Sequence, residues 1–279
     1  MIPKRETQPS LTALFRDVRL KLLKILVRRK APRVLAASTA LSIYSLNHSP
    51  RRVNKLLQLT AGRRRYLEIG VHRGKTIEGV EALQKIGVDP FPDFNLDQLP
   101  ANLEIAVKTS RDFFTSFQGD KFNLVFVDGL HEAREAYLDV IDSLNCLDEG
   151  GLILLDDVSP MDEWSALPDK GDSIEALRIR GITHGKWYGD VWKVAAVILN
   201  NYPSLGLIYL GRGAEDHGQA VIFRIAGNEE KFLAKDEDFQ FMKSLSFQDY
   251  VNLRDGALAT ITFPEDEGIR QIARLLEKI

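Results

Sequence analysis

The feature that most constrains the fold is the alternation, from about residue 65 onward, of short apolar runs with stretches of helical spacing. Strands that are apolar at nearly every position are typical of a parallel sheet whose two faces are covered by helices. The predicted strands are "RYLEIGV" (65–71), "IGVDP" (86–90), "LEIAVKTS" (103–110), "FNLVFVDG" (122–129), "GGLILLDDV" (150–158), "LGLIYLG" (205–211) and "QAVIFRI" (219–225). The last two are spaced as an antiparallel pair. The sequence therefore predicts an α/β fold with a doubly wound, mostly parallel seven-stranded sheet and an antiparallel last strand.

Charge divides the chain into unequal parts. Residues 1–65 hold 16 Lys/Arg and two acids, a net +14, whereas the remaining residues hold 21 Lys/Arg and 37 acids, a net −16. Apolar residues from Leu11 to Ile25 recur at helical spacing between basic residues, which indicates a basic amphipathic helix. We expect this helix to dock on the acidic part of its own chain, with an anionic membrane face or an acidic partner as the alternatives. Nucleic acid is not an expected partner, because no recognition motif accompanies the charges.

These patterns predict three regions: a basic helical N-terminal extension (1–60), a ligand-binding domain (61–227) and a C-terminal helical extension (228–279) that ends in a helix at Glu267–Ile279. One cysteine, Cys146, excludes an internal disulfide framework and indicates a reducing compartment. The longest uncharged stretch, Val34–Pro50, is interrupted by polar residues and is shorter than a membrane span. We expect a cytoplasmic protein, either free or associated with the inner membrane face, and the sequence leaves open whether it forms a homo-oligomer.

The first predicted strand runs into a glycine loop, "YLEIGVHRGKT" (66–76). Gly70 and Gly74 enclose three residues, one fewer than a phosphate-binding loop needs, and His72 occupies the place of the second glycine of a dinucleotide fingerprint. Glu68 at the strand end would repel phosphate and would suit a cationic ligand. The ligand that fits is S-adenosylmethionine, which carries ammonium and sulfonium charges.

Carboxylates follow three other strands. Asp89 ends the second strand 19 residues after Gly70, where it can take both ribose hydroxyls, or alternatively start a turn before Pro90. Asp128 ends the fourth strand, and Asp156 and Asp157 end the fifth. Adjacent parallel strands open at one edge of the sheet, so these three carboxylates predict a site for Mg²⁺ or Mn²⁺. Capping or turn formation is the alternative role of the Asp156–Asp157 pair.

The ordered set of "YLEIGVHRGKT", "GVDP", "TSRDFF", "LVFVDGLHEAREAYLDV" and "GGLILLDDV" resembles the class I S-adenosylmethionine-dependent methyltransferases. Within that class it is similar to the metal-dependent O-methyltransferases that act on catechols and macrolide sugars, over residues 60–225. The resemblance implies cofactor binding by Glu68, Gly70, Gly74, Asp89, Ser110 and Asp128, and metal binding by Asp128, Asp156 and Asp157. The Asp-Asp pair matches the macrolide type, since the catechol type usually has Asp-Asn.

His131 stands where catechol-type enzymes carry a lysine base, and a neutral imidazole can take a proton near pH 7. Ser110 would contact the adenine ring, unless it caps the helix predicted at Arg111–Ser116. The expected reaction is methylation of a hydroxyl on a sugar or another small-molecule natural product. The aromatic cluster "HGKWYGDVWKV" (184–194) forms either a substrate wall or a buried staple.

Three other functions stay open at this stage. They are a triphosphate-using enzyme through Gly74-Lys75-Thr76, a nicotinamide-dependent reductase, and a non-catalytic module that holds a membrane or an acidic partner through the basic helix.

Overall fold

The computed structural model describes residues 48–60, 64–211, 218–225 and 231–277. The basic helix predicted between residues 11 and 28 lies outside the described residues. Among those described, no helix combines the length and apolar character needed to cross a bilayer.

Eight strands in the described ranges form one mixed sheet, with the order β3-β2-β1-β4-β5-β7-β6-β8. The strands are β1 (Arg65–Ile69), β2 (Gln84–Val88), β3 (Leu103–Ala106), β4 (Phe122–Val127), β5 (Leu147–Leu155), β6 (Leu205–Leu210), β7 (Gln219–Arg224) and β8 (Thr262–Phe263). The pairs from β3 to β5 are parallel, β7 is antiparallel to both β5 and β6, and β8 is parallel to β6. The predicted doubly wound, mostly parallel sheet is confirmed.

Helices cover both faces of this sheet. They are α1 (His48–Leu57), α2 (Lys75–Glu78), α3 (Ser110–Ser116), α4 (Ala133–Cys146), α5 (Lys170–Ile179), α6 (Trp192–Asn201), α7 (Asp236–Ser244), α8 (Phe247–Asp255) and α9 (Glu265–Leu276). Strand β4 is buried at all six positions, and the apolar core divides into one cluster on each face of the sheet. This double burial is the physical reason for the continuous apolar strands in the sequence.

Several predicted boundaries differ from the structure. The second strand begins at Gln84 and ends at Val88, so Asp89 lies just beyond it, and the fifth ends at Leu155, just before Asp156. The helix that follows the glycine loop is short and spans only Lys75–Glu78. Helix α1 packs over the segment that follows, where a Cβ at Gly79 would lie 2.9 Å from Pro50 Cβ.

The C-terminal region supplies a strand as well as helices. Its β8 pairs with β6 through Tyr209↔Thr262 and Leu210↔Phe263, an eighth strand that the sequence did not predict. A two-residue strand carries no recognisable period, so the pairing depends on the adjacent β6 edge. The final helix begins at Glu265 rather than at the predicted Glu267.

Candidate active site

The loop after β1 requires glycine because it passes against the end of β4. Gly70 has φ +87°, and a Cβ there would lie 1.9 Å from the carbonyl oxygen of Asp128. Gly74 also has a positive φ, 72°, and precedes α2. The loop is therefore held directly beside the residues that follow β4.

Asp89 fixes the far side of the same loop. Its Oδ2 accepts a hydrogen bond from His72 N at 2.8 Å, and its Oδ1 accepts one from Phe91 N at 2.7 Å. The second contact is the turn that the Asp89-Pro90 sequence predicts. Asp89 is only half-buried and lines the crevice described below, so its remaining lone pairs are accessible to a ligand.

Glu68 does not face the ligand side. Its side chain is 1% exposed, Tyr66 Oη donates to its Oε2 at 2.6 Å, and it lies outside the crevice lining. Burial and the nearby Asp128 raise the pKa of Glu68 to about 8, against hydrogen bonds from Tyr66 and the backbone of Ile77. Glu68 therefore packs neutral beneath the loop at pH 7, in contrast to the expectation that its carboxylate meets the cationic ligand.

The crevice opens at the carboxyl ends of the central strands, with a volume of about 850 Å³. This volume lies within the usual range for small-molecule sites. The lining includes Trp187 and five residues that the sequence predicts to belong to the site: Gly70, Asp89, Ser110, Asp128 and His131. The topology thus brings together residues spread over about 60 positions of chain, whereas Glu68 and Gly74 do not line the crevice.

Two aspartates and a histidine form a compact group in the described part of the chain. One ligand atom each from Asp128, His131 and Asp157 lies within 4.8 Å of the other two. His131 Nε2 is 3.1 Å from Asp157 Oδ2 and 3.6 Å from Asp128 Oδ1. Burial by itself lowers the pKa of His131, but its contacts with Asp128 and Asp157 outweigh burial and raise the pKa to about 9. With a pKa of about 9, the imidazole carries a proton at pH 7 unless the charges of the two carboxylates are compensated.

The side chain of Asp156 is oriented differently from that of Asp157. Its Oδ2 accepts a hydrogen bond from Gln219 Nε2 at 3.1 Å, and its Oδ1 accepts one from Asp157 N at 2.9 Å. Burial, followed by the charges of Asp128 and Asp157, raises its pKa well above the usual range. The compact group thus contains Asp128 and Asp157 of the three predicted metal ligands together with His131, and it does not include Asp156.

The aromatic cluster divides into two parts. Trp187 stacks on the His131 ring, with ring centroids 4.6 Å apart, and its Nε1 donates to the Leu167 carbonyl. Tyr188 and Trp192 are buried in the interior. Only Trp187 of the three lines the crevice, so the cluster supplies both a wall and a staple.

Ser110 is the first residue of α3 and does not cap it. Thr109 is the N-cap and accepts a hydrogen bond from Asp112 N. The Ser110 hydroxyl instead donates to Asp139, a buried residue of α4 whose pKa is raised to about 7 by burial. Asp139 also lines the crevice, and it was not predicted from the sequence because it lies inside an amphipathic helix.

Residues 67–158 match the family model described as a methyltransferase domain. This region, about a third of the chain, is thus similar to methyltransferase domains. The domain match spans the glycine loop, Asp89, Ser110, the Asp128–His131 segment and both aspartates after β5. No curated protein matches the chain.

Among solved structures, the chain is similar to an O-methyltransferase from Bacillus cereus in complex with SAH. Identity is 12%, covering 80% of this chain and 91% of that chain, with a TM-score of 0.42. It is also similar to the O-methyltransferase TomG from Streptomyces achromogenes, involved in tomaymycin synthesis and solved with SAM. Here identity is 12%, covering 78% of this chain and 91% of that chain, with a TM-score of 0.42. At such identities the likeness concerns the general fold.

Proposed function

We propose that the protein transfers a methyl group from S-adenosylmethionine to a hydroxyl of a sugar or another small-molecule natural product. In this proposal a divalent cation assists the transfer and His131 is the base. The observation that carries it is the convergence of Asp128, His131 and Asp157 in the crevice beside Gly70. In the proposed arrangement the pocket for the methyl donor lies beside Gly70, and the group that accepts the proton, His131, lies in the same crevice.

The donor side is argued from the loops after β1 and β2. Gly70 lets the loop after β1 pack against the backbone of Asp128 at the edge of the crevice. Asp89 is held by two backbone N–H groups while it faces the crevice. A carboxylate at this position can accept hydrogen bonds from both ribose hydroxyls. Ser110 and Asp139 supply polar groups for the adenine ring on the lining contributed by α3 and α4.

The acidic group fits a divalent cation. Two carboxylates lie close together with one imidazole, and His131 Nδ1 is buried with no hydrogen-bond partner among the described residues. Carboxylate oxygens suit Mg²⁺ and Mn²⁺, so Asp128 and Asp157 are the residues that would hold the ion. A cation bound there would polarise the acceptor hydroxyl and, by compensating the two carboxylates, lower the pKa of His131.

His131 is suited to take the acceptor proton. Its ring is fixed by the Trp187 stack on one face, and Asp157 stabilises the imidazolium that forms. The methyl carbon requires an in-line approach of the acceptor oxygen, so this rigid placement supports much of the expected rate. The indole of Trp187 also offers a flat apolar surface to a sugar or an aromatic ring.

The test follows methyl transfer from labelled S-adenosylmethionine to a panel of glycosylated natural products and catechols. His131→Gln should lower kcat by roughly 100-fold or more, in line with the loss of a general base. His184→Gln is the matched control, because His184 also contacts an aspartate, Asp162 at 2.9 Å, but does not line the crevice.

The cation is tested in the same assay. Chelator should stop transfer, and Mg²⁺ or Mn²⁺ should restore it. Full activity in chelator removes the cation from the mechanism, and an unaltered His131→Gln rate removes the base. Absence of S-adenosylmethionine binding by calorimetry would overturn the whole proposal.

A further inference from the structure

Asp157 has a backbone conformation that few side chains adopt. Its φ is +56°, its side chain is 6% exposed, and its Oδ2 contacts His131 Nε2. A non-glycine residue in this region needs support from its surroundings. That support comes from the preceding residue, because Asp157 N donates to Asp156 Oδ1 at 2.9 Å.

Asp156 is in turn held by Gln219 at the start of β7, antiparallel to β5. Gln219 is 3% exposed, and its Nε2 donates to Asp156 Oδ2. Its Oε1 accepts a hydrogen bond from Arg52 Nη1 at 2.6 Å. Since a guanidinium only donates, Arg52 requires the amide oxygen on its side and so directs the amide N–H groups towards Asp156.

Arg52 is itself deeply buried and comes from α1, the first helix in the described part of the chain. Its side chain is 1% exposed, and its charge is compensated by Glu265 at 3.2 Å, in the first turn of α9. Burying a charged pair costs desolvation and is weak grounds for stability alone. An orienting role explains why this pair lies next to Gln219 instead of at the surface.

From this chain of contacts, Glu265–Arg52–Gln219–Asp156, we infer that Arg52 and Gln219 are positioning residues for the active site. They fix the Asp156 carboxylate, which holds Asp157 in its left-handed conformation and thereby aims the Asp157 side chain at His131. Helices α1 and α9 are consequently part of the methyl-transfer machinery. This inference rests on the proposed function for its catalytic meaning, although the orientation of Asp157 is testable separately.

The sharpest variant is Gln219→Glu, which keeps the size and the oxygen that faces Arg52 but replaces the N–H donor facing Asp156 with an acceptor. Lys55→Met is the matched control. It removes the contacts of Lys55 with Glu265 and Asp266 between the same two helices and leaves Arg52, Gln219 and Asp156 intact.

The first readout is the NMR signal of the His131 ring in the full chain with ¹⁵N-labelled histidine, assigned with His131→Gln. We expect Gln219→Glu to move this signal and Lys55→Met to leave it in place. Unmoved His131 signals in a folded Gln219→Glu protein overturn the inference. If Gln219→Glu does not fold, Arg52→Lys takes its place, since lysine keeps the positive charge but is too short to reach Gln219 in the same way. Arg52→Lys must then move the His131 signal.

The second readout is the Kd of Mn²⁺ by calorimetry. Gln219→Glu should weaken binding by on the order of tenfold, as is usual for residues that orient metal ligands. Wild-type affinity in this variant contradicts the inference. A wild-type protein that binds no Mn²⁺ contradicts the proposed cation instead, and the positioning of Asp157 is then decided by the His131 signal alone.

Discussion

The buried Glu68 makes a quantitative prediction for Glu68→Gln. Burial raises its pKa from the ordinary 4.5 to about 8, mainly by desolvation. The folded protein therefore retains a proton that the unfolded chain loses above pH 4.5. The stability linked to this proton is fully present below pH 4.5 and is lost as the pH rises through 8.

The magnitude follows from the two pKa values. At ~1.36 kcal/mol per pKa unit, the difference between 4.5 and about 8 corresponds to roughly 5 kcal/mol lost by wild type between pH 4.5 and pH 9. Glutamine has nearly the same shape and no charge to bury. Its amide oxygen can accept from the Ile77 backbone, and its N–H can donate to Tyr66 Oη, which now accepts. The variant should therefore gain several kcal/mol over wild type as the pH rises.

The assay is denaturant unfolding of wild type and Glu68→Gln from pH 5 to pH 9, because the difference between the two proteins removes the contribution of other titrating groups. Glu81→Gln provides the control, since Glu81 is an exposed glutamate in the connection between α2 and β2. A difference in unfolding free energy that stays constant across this range refutes the assignment of a neutral, buried Glu68. In Glu68→Gln the Kd of S-adenosylmethionine should change only a few fold at pH 7. Removal of a carboxylate that directly faced the donor would raise the Kd by much more.

Three further substitutions test the crevice. Gly70→Ala should abolish S-adenosylmethionine binding by calorimetry, because its Cβ would meet the Asp128 carbonyl oxygen. Gly150→Ala is the control and should bind normally, since Gly150 also has a positive φ, +68°, but has no described atom within 4 Å of the added Cβ. Equal loss of binding in both variants would point to backbone strain alone. Asp89→Ala should raise the Kd of S-adenosylmethionine at least tenfold through loss of the ribose contact and the loop contacts, and an unchanged Kd would exclude the ribose role. Trp187→Ala should lower kcat about tenfold while leaving the donor Kd unchanged, and an unaltered rate would show that stacking does not position the imidazole.

The positions of the site residues along the chain were predictable because they follow from strand ends. Asp89, Asp128 and Asp157 each come within two residues of the end of an apolar strand, and parallel strands place those ends at one edge of the sheet. Gly70 was predictable because a strand-to-helix turn of this kind needs a positive φ. The directions in which the side chains point were harder to predict from the sequence. Glu68 lies on a strand buried on both faces, so it points into the interior.

The sequence by itself determined the alternating architecture, the glycine loop and the set of acidic residues at the sheet edge, because period, residue size and chain order are local properties. Only the tertiary structure decided which acids meet. Asp157 reaches His131 through a left-handed backbone, and Asp156 turns towards Gln219. Arg52 holds Gln219 and is itself paired with Glu265. These contacts join residues 63, 167 and 213 positions apart, and no periodicity along the chain encodes such distances.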